Sequence, residues 1–227
     1  MKKDEIRKRI LEVGIVPVVR ANSLAEAAFA AQAVLQGGIP IVEITMTVPG
    51  AIELISNLGR CTPGLLVGAG TVLDAETARR CLDAGAQFLV SPGLDLETVK
   101  LAAKEDVVIM AGALTPTELM AACKAGADFV KIFPCAQVGG AAYIKALKGP
   151  FPQVPLVPTG GVNLETAADF IAAGAAALGV GGELIDRDAV QSGKSAVIES
   201  LARRFMEVVR NARNQKMPQK LPPVANA

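Results

Sequence analysis

The sequence predicts an α/β fold, a (βα)8 TIM barrel with an extra N-terminal helix. Eight short, β-branched, apolar runs recur at intervals of about 20 to 27 residues, the size of one βα unit. They are continuously apolar and do not alternate, as strands do when helices cover both faces of a parallel sheet. A phrase also repeats: Leu82-Asp83-Ala84-Gly85-Ala86, Ala122-Cys123-Lys124-Ala125-Gly126-Ala127 and Ile171-Ala172-Ala173-Gly174-Ala175 each end a helix at glycine and lead into the next strand. A chain of 227 residues suits one such barrel. The alternative, a doubly wound open sheet, would place GxGxxG after the first strand, and none follows there.

The elements follow in order. Residues 2–13 mix charges of both signs on an amphipathic helix, unlike a signal peptide. The first strand spans 15–20. Ser23 and Glu26 form a capping box for the next helix, which Gly37-Gly38 closes. Strands follow at 39–45, 65–69 and 87–90, with Asp74 and Asp95 as the caps of the helices after the third and fourth. The fifth strand is 107–110, and Thr115-Pro116-Thr117-Glu118 then supplies a cap, a proline at the first helical position and a capping-box glutamate. The last strands are 129–133, 156–158 and 177–180, with Asn163 as a further cap. One barrel domain is expected over residues 1–213. Residues 214–227, which hold three prolines, are expected to form a flexible tail.

Composition removes whole classes of chemistry. The chain has no histidine and no tryptophan. Ser-His-Asp and Cys-His catalysis, HExxH proteolysis and His-ligated zinc therefore drop out. Cys61, Cys81, Cys123 and Cys135 make no CxxC pair, so they read as reduced thiols of a cytoplasmic protein, without a metal cluster or redox dithiol. A formal net charge of +1 gives no footprint for nucleic acid. No apolar run reaches membrane-spanning length. Any catalyst here must be built from Lys, Glu, Asp, Arg, Thr, Cys and backbone amides, and neither nucleic acid nor membrane is expected as a partner.

Three charged residues interrupt the apolar strands: Arg20 ending the first, Glu43 in the second and Lys131 in the sixth. A charge inside a strand buried on both faces is costly unless it is paired or used. Active sites of this fold lie at the C-terminal ends of the strands. Lys131 sits in Phe129-Val130-Lys131-Ile132-Phe133-Pro134, where desolvation favours the neutral amine, a nucleophile toward carbonyls. Glu43 is a candidate general acid and base. A purely structural Glu43–Lys131 ion pair is the open alternative, although branched aliphatics fill a barrel interior at lower cost.

Glycine turns form the second feature. Pro158-Thr159-Gly160-Gly161-Val162-Asn163 follows the seventh strand, and Gly179-Val180-Gly181-Gly182 marks the eighth. Backbone amides after these two strands commonly bind phosphate in such barrels, though glycines also serve plain turns. Two more small-residue loops, Gly68-Ala69-Gly70-Thr71 and Ser91-Pro92-Gly93, end the third and fourth strands and leave room for a ligand.

Together these motifs resemble the 2-keto-3-deoxy-6-phosphogluconate (KDPG) / 4-hydroxy-2-oxoglutarate (KHG) aldolase family. The matching segments are Val42-Glu43-Ile44-Thr45, Val67-Gly68-Ala69-Gly70-Thr71-Val72, Phe88-Leu89-Val90-Ser91-Pro92, Val130-Lys131-Ile132-Phe133-Pro134, Lys148-Gly149-Pro150 and Val157-Pro158-Thr159-Gly160-Gly161-Val162, in the family's order. The resemblance implies a class I aldolase, a homotrimer acting on a 2-keto acid without metal or cofactor. It makes Lys131 the Schiff-base lysine and Glu43 the proton shuttle. Thr71 and Pro92 would line the pyruvate pocket, Phe133 would pack near the imine, and Thr159, Gly160 and Gly161 would hold substrate, with Gly181 and Gly182 toward the phosphate.

Two positions depart from the family's pattern. Thr47 stands where many members have a carboxylate-binding arginine, so Arg20 is the candidate replacement clamp. Glu183 stands where some have serine near the phosphate, which weakens the case for a strictly phosphorylated substrate. The same lysine could serve 4-hydroxy-2-oxoglutarate cleavage or oxaloacetate decarboxylation. A phosphosugar isomerase and a non-catalytic barrel used for assembly are the rival classes.

Overall fold

A computed structural model of the chain describes residues 1–216. The expected tail lies outside these from residue 217 on. Residues 214–216 complete the last helix, which spans Ser195–Lys216.

The strands are β1 (Ile15–Val19), β2 (Ile41–Thr45), β3 (Leu66–Gly70), β4 (Phe88–Val90), β5 (Val108–Ala113), β6 (Phe129–Ile132), β7 (Leu156–Pro158) and β8 (Leu178–Val180). The helices are α1 (Lys3–Val13), α2 (Leu24–Gln36), α3 (Ala51–Cys61), α4 (Ala75–Asp83), α5 (Leu96–Lys104), α6 (Pro116–Ala125), α7 (Gly140–Lys148), α8 (Ala167–Ala172), α9 (Arg187–Gln191) and α10 (Ser195–Lys216). The strand order is β7-β6-β5-β4-β3-β2-β1-β8, all neighbours parallel. A bridge between Thr159 and Gly179 joins the β7 end to β8 and brings the two edges together. The result is the (βα)8 barrel, entered through α1.

Every strand position is buried, which explains the continuous apolar runs. The helices close the outer layer. In α10, Ile198, Ala202, Phe205 and Val209 recur at helical spacing and are buried, and that stripe packs on α2 and α8. Fully burying a side chain such as Phe205 stabilises by roughly 1.5–3 kcal/mol. Arg213, near the end of α10, donates to the Glu12 carbonyl at 2.8 Å and to the Ala176 carbonyl at 3.1 Å, tying this helix to the floor of the barrel.

Boundaries differ from the sequence expectation where local chemistry decides them. β1 stops at Val19, so Arg20 is an exposed residue just past the strand. β6 stops at Ile132, leaving Phe133 in the turn. β5 runs three residues further than its β-branched stretch, because Gly112 and Ala113 find register partners in Lys131 and Ile132. Thr115, Asp74 and Asp95 cap as expected, each accepting an amide hydrogen three residues on. Ser23 accepts from the Glu26 amide, but the Glu26 carboxylate takes the Asn22 amide, one residue before the capping-box partner. Asn163 accepts from the amides of Glu165 and Thr166, closing a turn, and α8 starts four residues later.

Candidate active site

The charged strand residues Glu43 and Lys131 come together. β2 and β6 are four strands apart in an eight-stranded barrel, so side chains from them meet only across the interior. Lys131 Nζ lies 3.7 Å from Glu43 Oε1, with side-chain exposures of 4% and 3%. That distance suits an ion pair and is too long for a hydrogen bond. Glu43 Oε1 has no hydrogen-bond partner among the described residues. A buried acceptor left unmade costs about 1–3 kcal/mol, more when it is charged. The pair is thus poorly arranged for holding the barrel together and well arranged to receive a third polar group.

Neighbouring residues shape this spot. The Phe133 ring centroid is 5.5 Å from Lys131 Nζ, within cation–π range. A Cβ on Gly70 would overlap the Glu43 carboxylate, so glycine there gives that side chain its place. A Cβ on Gly112, the residue in register with Lys131, would overlap the Pro92–Gly93 backbone. The loop after β4 therefore reaches over β5 beside the lysine. Buried Ser91 holds that loop, accepting from the Gly112 amide at 3.2 Å. Thr71 follows Gly70 with φ +56, a left-handed conformation that a β-branched residue adopts only when its surroundings impose it.

At the β1–β2 rim, buried Thr45 Oγ1 donates to the Val19 carbonyl at 2.9 Å. The Thr47 hydroxyl, 2.7 Å away, then donates to Thr45. This pins Thr47 and the carbonyl that precedes Arg20.

Two cavities open above. The smaller, about 140 Å³, is lined by Phe133, Thr159, Gly160, Gly161 and Arg20, with Glu183 at its edge. The larger, about 450 Å³, is lined by Arg20, Thr47, Glu26 and Arg187. Gly181 and Gly182 belong to both walls. Gly160 and Gly161 adopt φ of +88 and +78, which turns the chain sharply after β7. Among the described residues, the Gly161 and Gly182 amides have no backbone acceptor. Phe133 touches both the ammonium of Lys131 and the smaller cavity, and so connects the buried pair with the mouth. Lys131, Glu43, Thr71 and Pro92 line neither cavity; Glu43 and Lys131 lie buried in the strands, Thr71 stands beside Gly70 and Pro92 over Gly112. A wider cavity, about 600 Å³, lies at the other end of the barrel between Glu12, Gly38 and α10. It has none of the strand-borne charge and is away from the Glu43–Lys131 pair.

Sequence reasoning missed Gly70 and Gly112 as packing partners, Ser91 and Thr45 as braces, and Arg187 as a wall residue. Cys81 and Cys135 are buried, which pushes both thiols up to about 11 and leaves them protonated and unreactive near neutrality. Among the described residues, no three acidic or thiol side chains cluster as a metal site. No described helix is long and apolar enough to cross a membrane.

Residues 6–201 match the family model for KDPG and KHG aldolase. A 2-dehydro-3-deoxy-phosphogluconate aldolase of Dickeya dadantii is 36% identical over 198 residues, covering 86% of this chain and 92% of its own. The KHG/KDPG aldolase of Escherichia coli is 35% identical over 200 residues, covering 87% and 93%. Among solved structures, the KDPG aldolase of Legionella pneumophila, with pyruvate captured as a covalent carbinolamine, superposes with a TM-score of 0.82 at 30% identity, over 88% of this chain and 97% of that one. A thiamine phosphate pyrophosphorylase of Pyrococcus furiosus shares the fold alone, with a TM-score of 0.69 at 16% identity.

Proposed function

Because the chain belongs to the KDPG and KHG aldolase family, we propose that it is a class I, metal-independent aldolase cleaving KDPG to pyruvate and glyceraldehyde 3-phosphate through an imine on Lys131. The observation that carries this reading is the buried Lys131–Glu43 pair with its unpartnered Oε1.

The chemistry follows from that geometry. Lys131 passes a proton to Glu43, and the resulting amine adds to the C2 ketone, giving a carbinolamine. Glu43 returns that proton to the departing hydroxyl, so water leaves and a protonated imine remains. Glu43, as carboxylate, accepts the C4 hydroxyl proton. The C3–C4 electron pair then moves into the imine, releasing the aldehyde and leaving an enamine. A proton returned to C3 and hydrolysis of the imine free pyruvate and Lys131. Glu43 Oε1, 3.7 Å from Nζ, is placed to exchange protons with it through one water at both ends of this sequence.

The remaining assignments are part of the proposal. Arg20, in the wall of both cavities, takes the place of the arginine that Thr47 replaces and holds the substrate carboxylate. Thr71 and Pro92 close around the pyruvyl methyl, Phe133 packs on the imine, and Thr159, Gly160, Gly161, Gly181 and Gly182 hold the rest of the substrate. The chain acts as a cytoplasmic homotrimer. Leu73 just before α4, Leu96 at the start of α5 and Met120 within α6 are 63%, 42% and 58% exposed on three successive packed units, apolar surface suited to a subunit contact.

Glu183 at the smaller cavity favours a second reading, in which an unphosphorylated 2-keto acid such as 4-hydroxy-2-oxoglutarate is also cleaved. Incubation with pyruvate, borohydride reduction and peptide mapping test the core of the proposal. The adduct is expected on Lys131; folded protein that takes no label would overturn it.

A further inference from the structure

We propose that Arg187, a residue outside the catalytic pair, selects substrates carrying a distal phosphate, a reading that rests on the aldolase function above. KDPG is anionic at both ends and calls for two cations, of which the smaller cavity supplies one. Its lining holds one guanidinium, Arg20, and one carboxylate, Glu183, so the formal charges cancel. The larger cavity shares Arg20 and the Gly181–Gly182 wall, and adds Arg187 at the first position of α9.

Three carboxylates lie in or next to that second wall: Glu26 in the lining, and Asp186 and Asp188 on either side of Arg187 in the chain. Glu26, the carboxylate in the same lining, accepts the Asn22 amide at 2.9 Å. Asp186, next to Arg187, accepts the Ala189 amide at 2.7 Å as the cap of α9. Neither Arg20 nor Arg187 has a carboxylate within ion-pair distance among the described residues. The Gly182 amide beside them has no backbone acceptor. Two unpaired guanidiniums and a free amide thus border one cavity of about 450 Å³. Guanidinium is the side chain best matched to a phosphate, which it grips with two parallel hydrogen bonds. The division of labour is one arginine for each end: Arg20 for the carboxylate beside C2, Arg187 for the phosphate on C6. Arg187 also offsets the repulsion that Glu183 exerts on that phosphate.

The test compares KM for KDPG with KM for its dephosphorylated analogue, 2-keto-3-deoxygluconate. Wild type is expected to prefer the phosphorylated substrate. Arg187→Ala is expected to raise the KDPG-to-analogue KM ratio about tenfold, roughly 1.4 kcal/mol. Arg187→Glu is expected to raise it further, and Arg187→Lys to recover most of the preference. Glu183→Gln should move the ratio the other way. Trapping of pyruvate on Lys131 runs alongside in each variant, since pyruvate has no distal end for Arg187 to touch. Loss of trapping in wild type would overturn the aldolase reading and this one with it. Trapping retained with an unchanged KM ratio, or equal losses on both substrates, would overturn the role of Arg187 alone. Arg187 is exposed, so its replacement leaves the core untouched.

Discussion

Gly70→Ala isolates the geometry of Glu43, the carboxylate proposed as the proton shuttle. The Gly70 φ lies outside the left-handed region, so alanine is admitted there without backbone strain, and any effect comes from the added methyl. That methyl would stand 2.5 Å from Glu43 Cγ and Cδ, and nearer still to Oε1. Carbon atoms in contact rest about 3.5–4.0 Å apart. The Glu43 side chain must therefore retreat by about 1 Å or more, inside a barrel whose interior is full. Overpacking of this kind costs about 1–3 kcal/mol of stability. Misplacing a reacting group by about 1 Å costs on the order of 10²-fold in rate. The expected result is a fall of that order in kcat for KDPG cleavage, with a lowered but cooperative thermal transition. Pyruvate should still be trapped on Lys131, whose own backbone and partner strands are untouched. A double-mutant cycle sharpens the inference. In a Glu43→Ala background the clash has no partner, and Gly70→Ala should change the residual rate less than threefold. Gly70→Ala with more than half of wild-type kcat, or an equal penalty in both backgrounds, would refute the steric account of how Glu43 is placed.

Two further outcomes are accessible. Arg20→Ala should raise the apparent KM for pyruvate in the borohydride-trapping assay by about tenfold, since a charge-assisted bond to a carboxylate is worth about 1.5–3 kcal/mol; an unchanged value would remove Arg20 from the carboxylate site. Glu118 has its carboxyl held below the usual glutamate range, chiefly by the amide of Leu114 and then by the hydroxyl and amide of Thr115. A lowered folded value means this contribution to stability is fully present above the unfolded value, about pH 4.3, and is lost as pH falls through the folded value. Glu118→Gln should accordingly flatten the acid limb of a stability-versus-pH curve while leaving the slope near neutrality alone; an unaltered acid limb would contradict it.

What the sequence made legible divides along physical lines. Lys131 and Glu43 could be read because a charge in a run such as Phe129-Val130-Lys131-Ile132 violates a rule that only the local sequence is needed to see. The eight strands could be read for the same reason, as each is buried on both faces. Gly70 and Gly112 could not. Their importance lies in Glu43 and in the Pro92–Gly93 backbone, and those neighbours are brought near only by strand pairing. The end of β5 was hidden because Ala111-Gly112-Ala113 have no β-branched signal of their own and are held by register with β6. Arg187 was hidden because an exposed arginine after a glycine turn looks like any solvated residue until the wall of a cavity is drawn through it. The resemblance to a family located Thr47 and Glu183 as departures, and the barrel mouth put both beside Arg20.

The buried pair itself argues against a merely structural barrel. Replacing a buried ion pair by apolar residues of similar volume is often neutral or stabilising by about 1–4 kcal/mol, while an uncompensated member is strongly destabilising. Here the pair lacks even the compensation that would justify it, since Nζ and Oε1 stand 3.7 Å apart and Oε1 accepts no hydrogen bond among the described residues. Two neighbouring buried hydroxyls are tied down, Thr45 to the Val19 carbonyl and Ser91, just past β4, to the Gly112 amide. The barrel can therefore satisfy buried polar groups near this point, yet leaves Glu43 Oε1 without a partner among the described residues. A carbonyl bound covalently to Nζ, with its hydroxyl or a water placed against Oε1, would supply the missing partner. In the proposed mechanism the ground-state cost at Lys131 and Glu43 is thus relieved along the reaction itself, which is the condition for binding energy to appear as rate.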